Sequence, residues 1–230
     1  FSFSYVMKSE EVDKKINEVL LEHPENKVKS IDEMYFIEVT GQISKSTRKE
    51  GIYYLMSESQ YKNVMNNQGK EPQYTLKSDN ECMASGAIWK GTTVNLSTST
   101  GALNKQLTVK NSSMSPIVNT STLYDIIVVG DELYNDFRNT GTQIVKVRGY
   151  ILENQINSGE LIGKIEDIVL PDQKLSDFFS NYSFLIKATG ILAYIGAFLG
   201  ILFVLSTGSI IYFKQLTEAN EDRNRYIILR

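Results

Sequence analysis

Apolar residues in the first part of the chain recur with the short periods of strands and small helices. Alternation predicts a strand over 1–7, where Phe1, Phe3 and Tyr5 share one face. Ser9 follows, at a position suited to capping a helix that Pro24 ends. A second strand is predicted over 33–40. Strand, helix and strand in this order are typical of a crossover unit in a mixed sheet.

The same patterns predict the remaining elements of this region. Further predicted strands cover 52–56, 87–94, 106–110, 126–129 and 143–152. Predicted helices cover 57–69, 130–139 and 159–168, and another begins at Ser176. The stretch 111–122 is rich in Ser, Thr and Asn and is predicted to be a surface loop. These elements indicate an α+β fold class, with a mixed-sheet domain over residues 1–175 and short peripheral helices.

One unit of this pattern returns at an offset of 73 positions. The apolar strand 52–56 leads into Ser57, Glu58 and a short helix, and the apolar strand 126–129 leads into Asp131, Glu132 and another. Two identities and a matched pattern are weak support for duplication. Both segments nevertheless predict a strand that leads directly into a short helix.

A long apolar stretch follows the mixed region. The 26 residues from Ala188 to Phe213 contain no Asp, Glu, Lys, Arg or His. As a helix they span about 39 Å, which exceeds the roughly 30 Å hydrocarbon thickness of a bilayer. A buried helix of a soluble core is the alternative, but such helices are shorter and keep a polar face. The sequence therefore predicts a transmembrane helix over 188–213, preceded by an aromatic-rich helical lead-in over 176–187.

Small residues mark one face of the predicted transmembrane helix. Gly196 and Gly200 form a GxxxG pair, and Ala193 and Ala197 form a parallel small pair beside it. Such a face lets a second helix approach closely. We expect it to contact other transmembrane helices; small residues facing lipid by chance are the alternative.

The segment 214–230 changes from mixed charge to an apolar cluster that ends in Arg230. A solvated tail has no need of this cluster, so the segment is predicted to dock onto a partner. It holds four Lys or Arg residues, whereas the flank before the helix offers Lys174 and Lys187. This bias predicts a cytoplasmic C-terminal segment and an extracellular location for residues 1–187.

Composition narrows the compartment and the partners. Residues 1–187 carry 20 basic and 24 acidic side chains, which argues against a nucleic-acid surface. Cys82 is the only cysteine, so no intrachain disulfide can form, and an extracellular domain of this size without disulfides is typical of bacteria. The chain begins at Phe1 without a signal peptide and stops at Arg230 within a helical pattern, so we expect a fragment of a longer protein.

Catalytic and metal-binding residues are sparse, so we expect a non-enzymatic chain without a metal or cofactor. His23 is the only histidine and lies beside Pro24, where a capping role is the simpler interpretation. No GxxxxGK[ST] phosphate loop occurs, which leaves any ATP to a partner subunit. The adjacent acid pairs Asp131/Glu132 and Glu166/Asp167 indicate solvated acids. A hydrolase requires that such acids converge in three dimensions.

A basic cluster offers a candidate ligand contact. Lys45, Arg48 and Lys49 lie close together in a polar stretch. A solvated loop is one interpretation, and a site for an anionic headgroup is the other.

The C-terminal residues carry a resemblance to a known family. Tyr212, Phe213 and Lys214 end the apolar helix, an acidic stretch follows, and the chain closes on Tyr226, Ile228, Leu229 and Arg230. The acidic stretch comprises Glu218, Glu221 and Asp222. This pattern resembles FtsX-like permeases of the bacitracin and lantibiotic resistance subgroup of ABC transporters. The resemblance covers about the last forty residues well, and the earlier domain mainly in size and in the Ser-Glu-x-x-Tyr pattern that follows a strand at Ser57 to Tyr61.

The resemblance implies a partner set and a role for the tail. The chain would be the large extracellular domain and the following transmembrane helix of a multi-pass bacterial permease. Two copies of a separate ATPase would bind the cytoplasmic side and hold the ATP, and a sensor histidine kinase would often associate. The extracellular domain would sense or bind an antimicrobial peptide or its lipid-linked cell-wall precursor. Residues implied in ATPase coupling are Glu218, Glu221, Asp222, Arg223, Tyr226, Leu229 and Arg230.

Two other functions remain open from the sequence. A related permease of the same architecture could use its extracellular domain to regulate a cell-wall hydrolase or to release a lipoprotein. A single-pass receptor or anchored binding domain is the second alternative. The number of membrane spans and an adjacent ATPase gene distinguish the permeases from the receptor.

Overall fold

The computed structural model describes residues 1–44, 51–72, 74–85, 90–113, 116–119 and 122–228. The strands are β1 Phe3–Val6, β2 Val28–Ile43, β3 Gly51–Ser57, β4 Glu81–Ser85, β5 Thr93–Ser97, β6 Asn104–Ser113, β7 Ile126–Val129, β8 Ile144–Leu152 and β9 Ser176–Asp177. The α-helices are α1 Glu10–Glu22, α2 Glu58–Asn67, α3 Asp131–Asn139, α4 Gly159–Ile168 and α5 Phe178–Ile228. The predicted mixed-sheet α and β architecture is confirmed.

Six of the described strands close into a barrel. The sheet runs in the order β3-β7-β4-β6-β5-β2-β8-β1-β9, and β2 also pairs with β3. The 16-residue strand β2 makes this closure: one of its edges pairs with β5 along its last part and, outside the barrel, with β8 along its first part. Its other edge pairs with β3, from Ile37 opposite Leu55 to Gly41 opposite Gly51. The sheet therefore returns to its first strand, and β8, β1 and β9 extend it beyond the barrel.

Alternate side chains of the barrel strands fill its interior. This cluster holds Ile37, Val39, Tyr53, Leu55, Cys82, Ala84, Val94, Leu96, Leu107, Val109, Ile127 and Val129. Helix α3 adds Leu133, Tyr134 and Phe137 to the same cluster. Since successive residues of a strand point to opposite faces, every barrel strand supplies apolar residues to this interior.

Helix α2 packs on the other face of the same strands. Its residues Tyr61, Val64 and Met65 lie in a second cluster with Met56 of β3 and Val128 of β7. The neighbouring positions of β3 and β7 belong to the interior cluster with α3. Helices α2 and α3 therefore lie on opposite faces of β3 and β7.

Helices α1 and α4 cover the sheet extension. Ile16 of α1 and Leu161 of α4 pack with Phe3 of β1 and Tyr150 of β8. The rings of Phe3 and Tyr150 stack with centroids 4.5 Å apart. Ser9 caps α1 as predicted, its Oγ accepting a hydrogen bond from the backbone N–H of Val12 at 3.4 Å.

The predicted crossover unit is present in a wider form. Helix α1 connects β1 to β2, but β8 lies between these strands and is antiparallel to both. A crossover connects two strands that run in the same direction in one sheet. β1 and β2 do so, because both are antiparallel to β8, which lies between them.

Three local predictions were wrong. Strand β5 occupies Thr93–Ser97 and shares only its first two residues with the predicted strand 87–94, of which residues 87–89 lie outside the described part. Strand β6 extends to Ser113, into the stretch predicted to be loop. Helix α5 begins after Asp177, whose Oδ1 accepts a hydrogen bond from the Ser180 N–H at 2.6 Å, so Asp177 caps the helix in place of Ser176.

The chain divides into two units, Phe1–Ser180 and Asn181–Arg230. The second unit consists of α5 beyond its first turn. Among the described residues α5 is the one helix long and apolar enough to cross a membrane, over Phe178–Asp222. Its apolar side chains are exposed, with Phe203 and Val204 at 71% and 72%. These features are consistent with membrane association.

Candidate functional site

Two units, each a strand followed by a helix, lie side by side at one end of the barrel. Strands β3 and β7 are parallel neighbours, with Ser57 at the end of β3 opposite Val129 at the end of β7. Each strand leads directly into a helix, α2 after Ser57 and α3 after Gly130. These are the two segments related by the offset of 73 positions. Because α2 and α3 depart to opposite faces, their N-terminal ends leave a crevice outside the carboxyl ends of the strands.

Strand β2 widens this crevice by separating from β3. The ladder between them stops at Ile37 and Leu55, although both strands continue beyond these residues. At Tyr35 side chains replace the missing strand partner. The Tyr35 N–H donates to Gln60 Oε1 at 3.2 Å, and the Tyr35 carbonyl accepts from the Tyr134 hydroxyl at 3.0 Å. One residue of β2 is thus bonded to both helices.

The resulting cavity has a volume of about 580 Å³. We call it the switch cavity because it lies where the helices that follow two neighbouring strands depart to opposite faces of the sheet. Tyr35, Ser57, Ser59 and Gln60 line it from β2, the end of β3 and the start of α2. Asp131, Tyr134, Asn135 and Arg138 line it from α3. The four α3 residues follow helical spacing and therefore share one face of that helix.

The start of α2 is hydrogen-bonded from two sides. Ser57 Oγ accepts from the Gln60 N–H at 3.3 Å, and Asp131 Oδ1 accepts from the Ser59 N–H at 3.0 Å. A carboxylate from one unit thus caps the helix of the other, which links their N-terminal ends. The carboxylate of Asp131 therefore caps the start of α2. This contact does not involve Glu132, so it does not make the two acids a catalytic pair.

Tyr35 also connects the cavity wall to an ion-pair network. Tyr35 is 41% exposed, its hydroxyl donates to Glu33 Oε2 at 3.1 Å, and Lys146 Nζ lies 5.6 Å from the ring centroid. Lys146 and Arg148 hydrogen-bond Glu33 and lower the pKa of its carboxyl to about 2. Arg148 Nη1 also pairs with Asp13 Oδ2 at 2.6 Å. Burial raises the pKa of Tyr134.

Two residues considered for catalysis lie elsewhere. Cys82 is buried in the barrel interior, and burial raises the pKa of its thiol to about 12. His23 is buried at the end of α1, where its Nδ1 lies 2.7 Å from Glu25 Oε1. Within the described ranges no group of three or more His, Cys, Asp and Glu side chains is placed to hold a metal ion. Neither residue contributes to the switch cavity.

The residues predicted for helix packing lie on α5. Gly196 and Gly200 are exposed, and apart from the adjoining backbone of α5 no described atom lies within 4 Å of a Cβ added at either position. Ala193 and Ala197 lie on the same exposed stretch. The structure thus leaves this face open to a neighbour, and its predicted role stays a prediction.

The other predicted sites are described only in part. Glu218, Glu221 and Asp222 are exposed on α5, with Lys214 Nζ 3.8 Å from Glu218 Oε1. Arg223 and Tyr226 continue the helical backbone. The remaining residues lie outside the described part of the chain: Lys45, Arg48, Lys49, Leu229 and Arg230.

Sequence reasoning did not predict the switch cavity. The offset of 73 positions was its one sequence signal, since it pairs Ser57 and Glu58 with Gly130 and Asp131. That signal does not reveal that the two units are adjacent and parallel. It also gives no indication of Tyr35, which belongs to the strand before β3 and lies outside both repeated units.

Comparisons with known proteins leave the family undetermined. No protein-family model and no curated protein matches the chain. One similar solved structure is that of a candidate lipoprotein from Bacillus anthracis. The match covers 73% of this chain and 92% of the lipoprotein chain, at 8% sequence identity and a TM-score of 0.44. A structure of the Type III-B Cmr-β complex bound to target RNA covers 71% of this chain and 86% of its own, at 11% identity and a TM-score of 0.34. Neither similarity establishes a shared function.

Proposed function

We propose that the chain is part of the permease subunit of a bacterial ABC transporter that confers resistance to cell-wall-targeting peptides of the bacitracin and lantibiotic type. Its mixed-sheet domain faces the cell exterior and senses or binds the peptide or its lipid-linked target. The proposal assigns catalysis to a partner and no catalytic residue, metal or cofactor to this chain. ATP is bound and hydrolysed by a separate ATPase that acts as a dimer.

The continuity of α5 is the observation that carries this proposal. The helix runs unbroken from Phe178, through the uncharged stretch 188–213, to Ile228. Two hydroxyls, one inside and one just beyond the apolar stretch, bond the helix's own backbone: Ser209 Oγ donates to the Leu205 carbonyl, and Thr217 Oγ1 to the Phe213 carbonyl, both at 2.9 Å. These bonds satisfy hydroxyl groups without a partner from outside the helix. One element therefore links the domain, the apolar stretch and the segment that resembles the permease family.

The tail supplies a means of coupling. Beyond Phe213 the helix continues for 15 described residues, which extends about 22 Å past the apolar stretch. Exposed acids on this extension, Glu221 and Asp222, are accessible to a basic surface of an ATPase. In the proposed mechanism ATP binding and hydrolysis shift α5 between discrete rigid positions. Other transmembrane helices of the permease pack on the Gly196 and Gly200 face, and a sensor histidine kinase is a further partner.

Variants of the tail test this coupling in the complete transporter. The double variant Glu221→Lys/Asp222→Lys reverses the charge offered to the ATPase, and Tyr226→Ala removes an aromatic group. Both are expected to lower peptide-stimulated ATP turnover several-fold in the reconstituted complex, because contacts at a buried interface are worth about 1–3 kcal/mol each. Peptide binding to the extracellular side should stay at the wild-type level.

Gln215, near the start of the same extension, provides a matched control. Gln215→Ala changes an exposed side chain outside the proposed coupling residues, so it should change turnover little. Wild-type peptide-stimulated turnover in both tail variants would contradict the coupling role. A chain that copurifies with no ATPase at all would favour the anchored receptor instead.

A further inference from the structure

The switch cavity has the position and size of a small-molecule site. It lies outside the carboxyl ends of two parallel strands whose helices depart to opposite faces, which is where α/β sheets bind ligands. Its volume of about 580 Å³ falls within the usual range for ligand pockets. The charges, the hydrogen-bonding groups and the strand edges around the cavity determine which class of ligand fits it.

The charges of the cavity disfavour an anionic ligand. Helix N-termini commonly bind phosphate, but here the α2 start already receives Asp131 Oδ1 and Ser57 Oγ. The first turn of α3 contains Asp131 and Glu132, which repel a phosphate. A phosphate ligand would therefore meet negative charge at both helix starts.

The charges also disfavour a free amino acid. Asp131 supplies one carboxylate and Arg138 one guanidinium to the same wall. They are seven positions apart on α3, which places their backbone positions about 10 Å apart. The ammonium and carboxylate groups of an amino acid are only about one residue's length apart, roughly 3 Å. The lining is therefore suited to a ligand that is uncharged and longer than a single amino acid.

The cavity lining offers hydrogen-bonding groups that the protein itself does not use. Among the described contacts, the side chains of Asn135 and Arg138 make no hydrogen bond or ion pair, and Gln60 uses its Oε1 but not its Nε2. Donors and acceptors are interspersed along the lining, with the half-exposed ring of Tyr35 as an aromatic wall. Planar amides, a guanidinium and hydroxyls beside an aromatic ring can match a ligand with many hydroxyls and an apolar ring face.

The strand edges exclude an extended peptide as the favoured ligand. β7 is paired with β3 and β4, and β3 is paired with β7 and, up to Leu55, with β2, so only the last two residues of β3 offer an edge, which is too short for strand addition. The facing edge of β2, at Tyr35, is already bonded by Gln60 and Tyr134. From these observations we propose that the switch cavity is a binding site for a neutral saccharide of about disaccharide length. The site goes beyond the proposed function and holds whether or not the chain works with an ATPase.

Sugar binding to the full 230-residue chain tests the site. The chain is held in dodecylphosphocholine, a detergent without a sugar headgroup, and titrated with cellobiose, maltose or N,N′-diacetylchitobiose. Saturation-transfer difference NMR and calorimetry should show saturable binding of at least one of them. Asn135→Ala should weaken that binding about fivefold to tenfold, the usual effect of one lost hydrogen bond, and Arg138→Gln should also weaken it.

Asn139→Ala is the matched control, since Asn139 ends the same helix and does not line the cavity. It should bind sugar as the wild type does. Asn135 and Arg138 are exposed, so their variants should fold, which circular dichroism checks. Failure of all three sugars to bind, or equal affinities for Asn135→Ala and Asn139→Ala, would overturn the proposal. Binding of inorganic phosphate or tri-alanine in place of the sugars would overturn it as well.

Discussion

Gly41 lies where β2 passes between β3 and β5 in the barrel. A Cβ added there would lie 2.9 Å from both Leu96 Cδ2 and Tyr53 Cδ2, and 3.0 Å from the Asn95 carbonyl oxygen. Distances this short require the interior to shift, and a close-packed interior accommodates added volume poorly. The barrel therefore depends on glycine at this position for close approach of neighbouring side chains.

Substitution of this glycine tests the barrel closure. Gly41→Ala should destabilise the folded domain by about 1–3 kcal/mol because it overfills the interior. The control Gly163→Ala adds the same methyl group to the exposed side of α4, where nothing described lies within 4 Å. That variant should be neutral or stabilising by up to about 1 kcal/mol. Thermal unfolding followed by circular dichroism measures both, and equal midpoints would contradict the closed arrangement.

Glu33 makes the stability of the domain depend on acid pH. Its pKa is lowered to about 2 by hydrogen bonds from Lys146 and Arg148, from a usual value of 4.5. A lowered pKa in the folded state means that the stabilisation is present above about pH 4.5 and is lost as the pH falls toward 2. The Glu33 side chain is 36% exposed, so solvent screening limits its contribution to about 1 kcal/mol.

Glu33→Gln should therefore lower the free energy of unfolding by about 1 kcal/mol at neutral pH. The difference from the wild type should shrink below about pH 4.5 and vanish near pH 2. Urea unfolding across this pH range measures it, with Glu10→Gln at the exposed start of α1 as the control. A difference that is the same at every pH would exclude the proposed electrostatic origin.

At the level of elements, local patterns predicted what depends on local sequence. Helices α2 and α4 follow their predicted ranges closely because the apolar spacing of each, and for α2 also the cap Ser57, lies within one segment. Strand β4, Glu81–Ser85, was missed because it is short and lacks alternation. The cap at Asp177 was assigned to Ser176, one position too early, since both residue types cap helices.

The glycine pair of α5 can be tested as an element that packs against other helices. Gly196→Ile and Gly200→Ile place bulk on the face proposed to contact a neighbouring transmembrane helix. Each should destabilise the assembled permease by about 1–2 kcal/mol, seen as earlier thermal aggregation in size-exclusion chromatography. Gly208→Ile is the control, a glycine of the same helix outside the motif. Equal behaviour of all three variants would indicate that the pair faces lipid.

At the level of the whole molecule, the closed barrel could not be predicted from local patterns. Its closure requires β2 to pair with both β3 and β5, and β3 to pair with β7, in ladders that join residues up to 72 positions apart in sequence, as with Tyr54 and Ile126. Long-range pairing is determined by how the elements bury their apolar faces together, which local period does not encode. The switch cavity depends on the same pairings, so the sequence revealed its repeated units but not their adjacency.

The sequence predicts the membrane-spanning helix more directly than it predicts the function of that helix. The uncharged stretch 188–213 predicts a spanning helix by length and composition alone. The function assigned to that helix rests on a resemblance in the segment around it and on the continuity of α5. The resemblance of the C-terminal segment and the continuity of α5 both indicate coupling across the membrane, which can be tested in cells.

Peptide susceptibility of cells is the most direct test of the proposed function. Deletion of the gene that encodes this chain should lower the minimal inhibitory concentration of bacitracin or of a lantibiotic. The wild-type gene should restore resistance, whereas the Glu221→Lys/Asp222→Lys double variant should not, because it disrupts coupling to the ATPase. Unchanged susceptibility of the deletion strain across a broad panel of cell-wall-targeting peptides would contradict the proposed function.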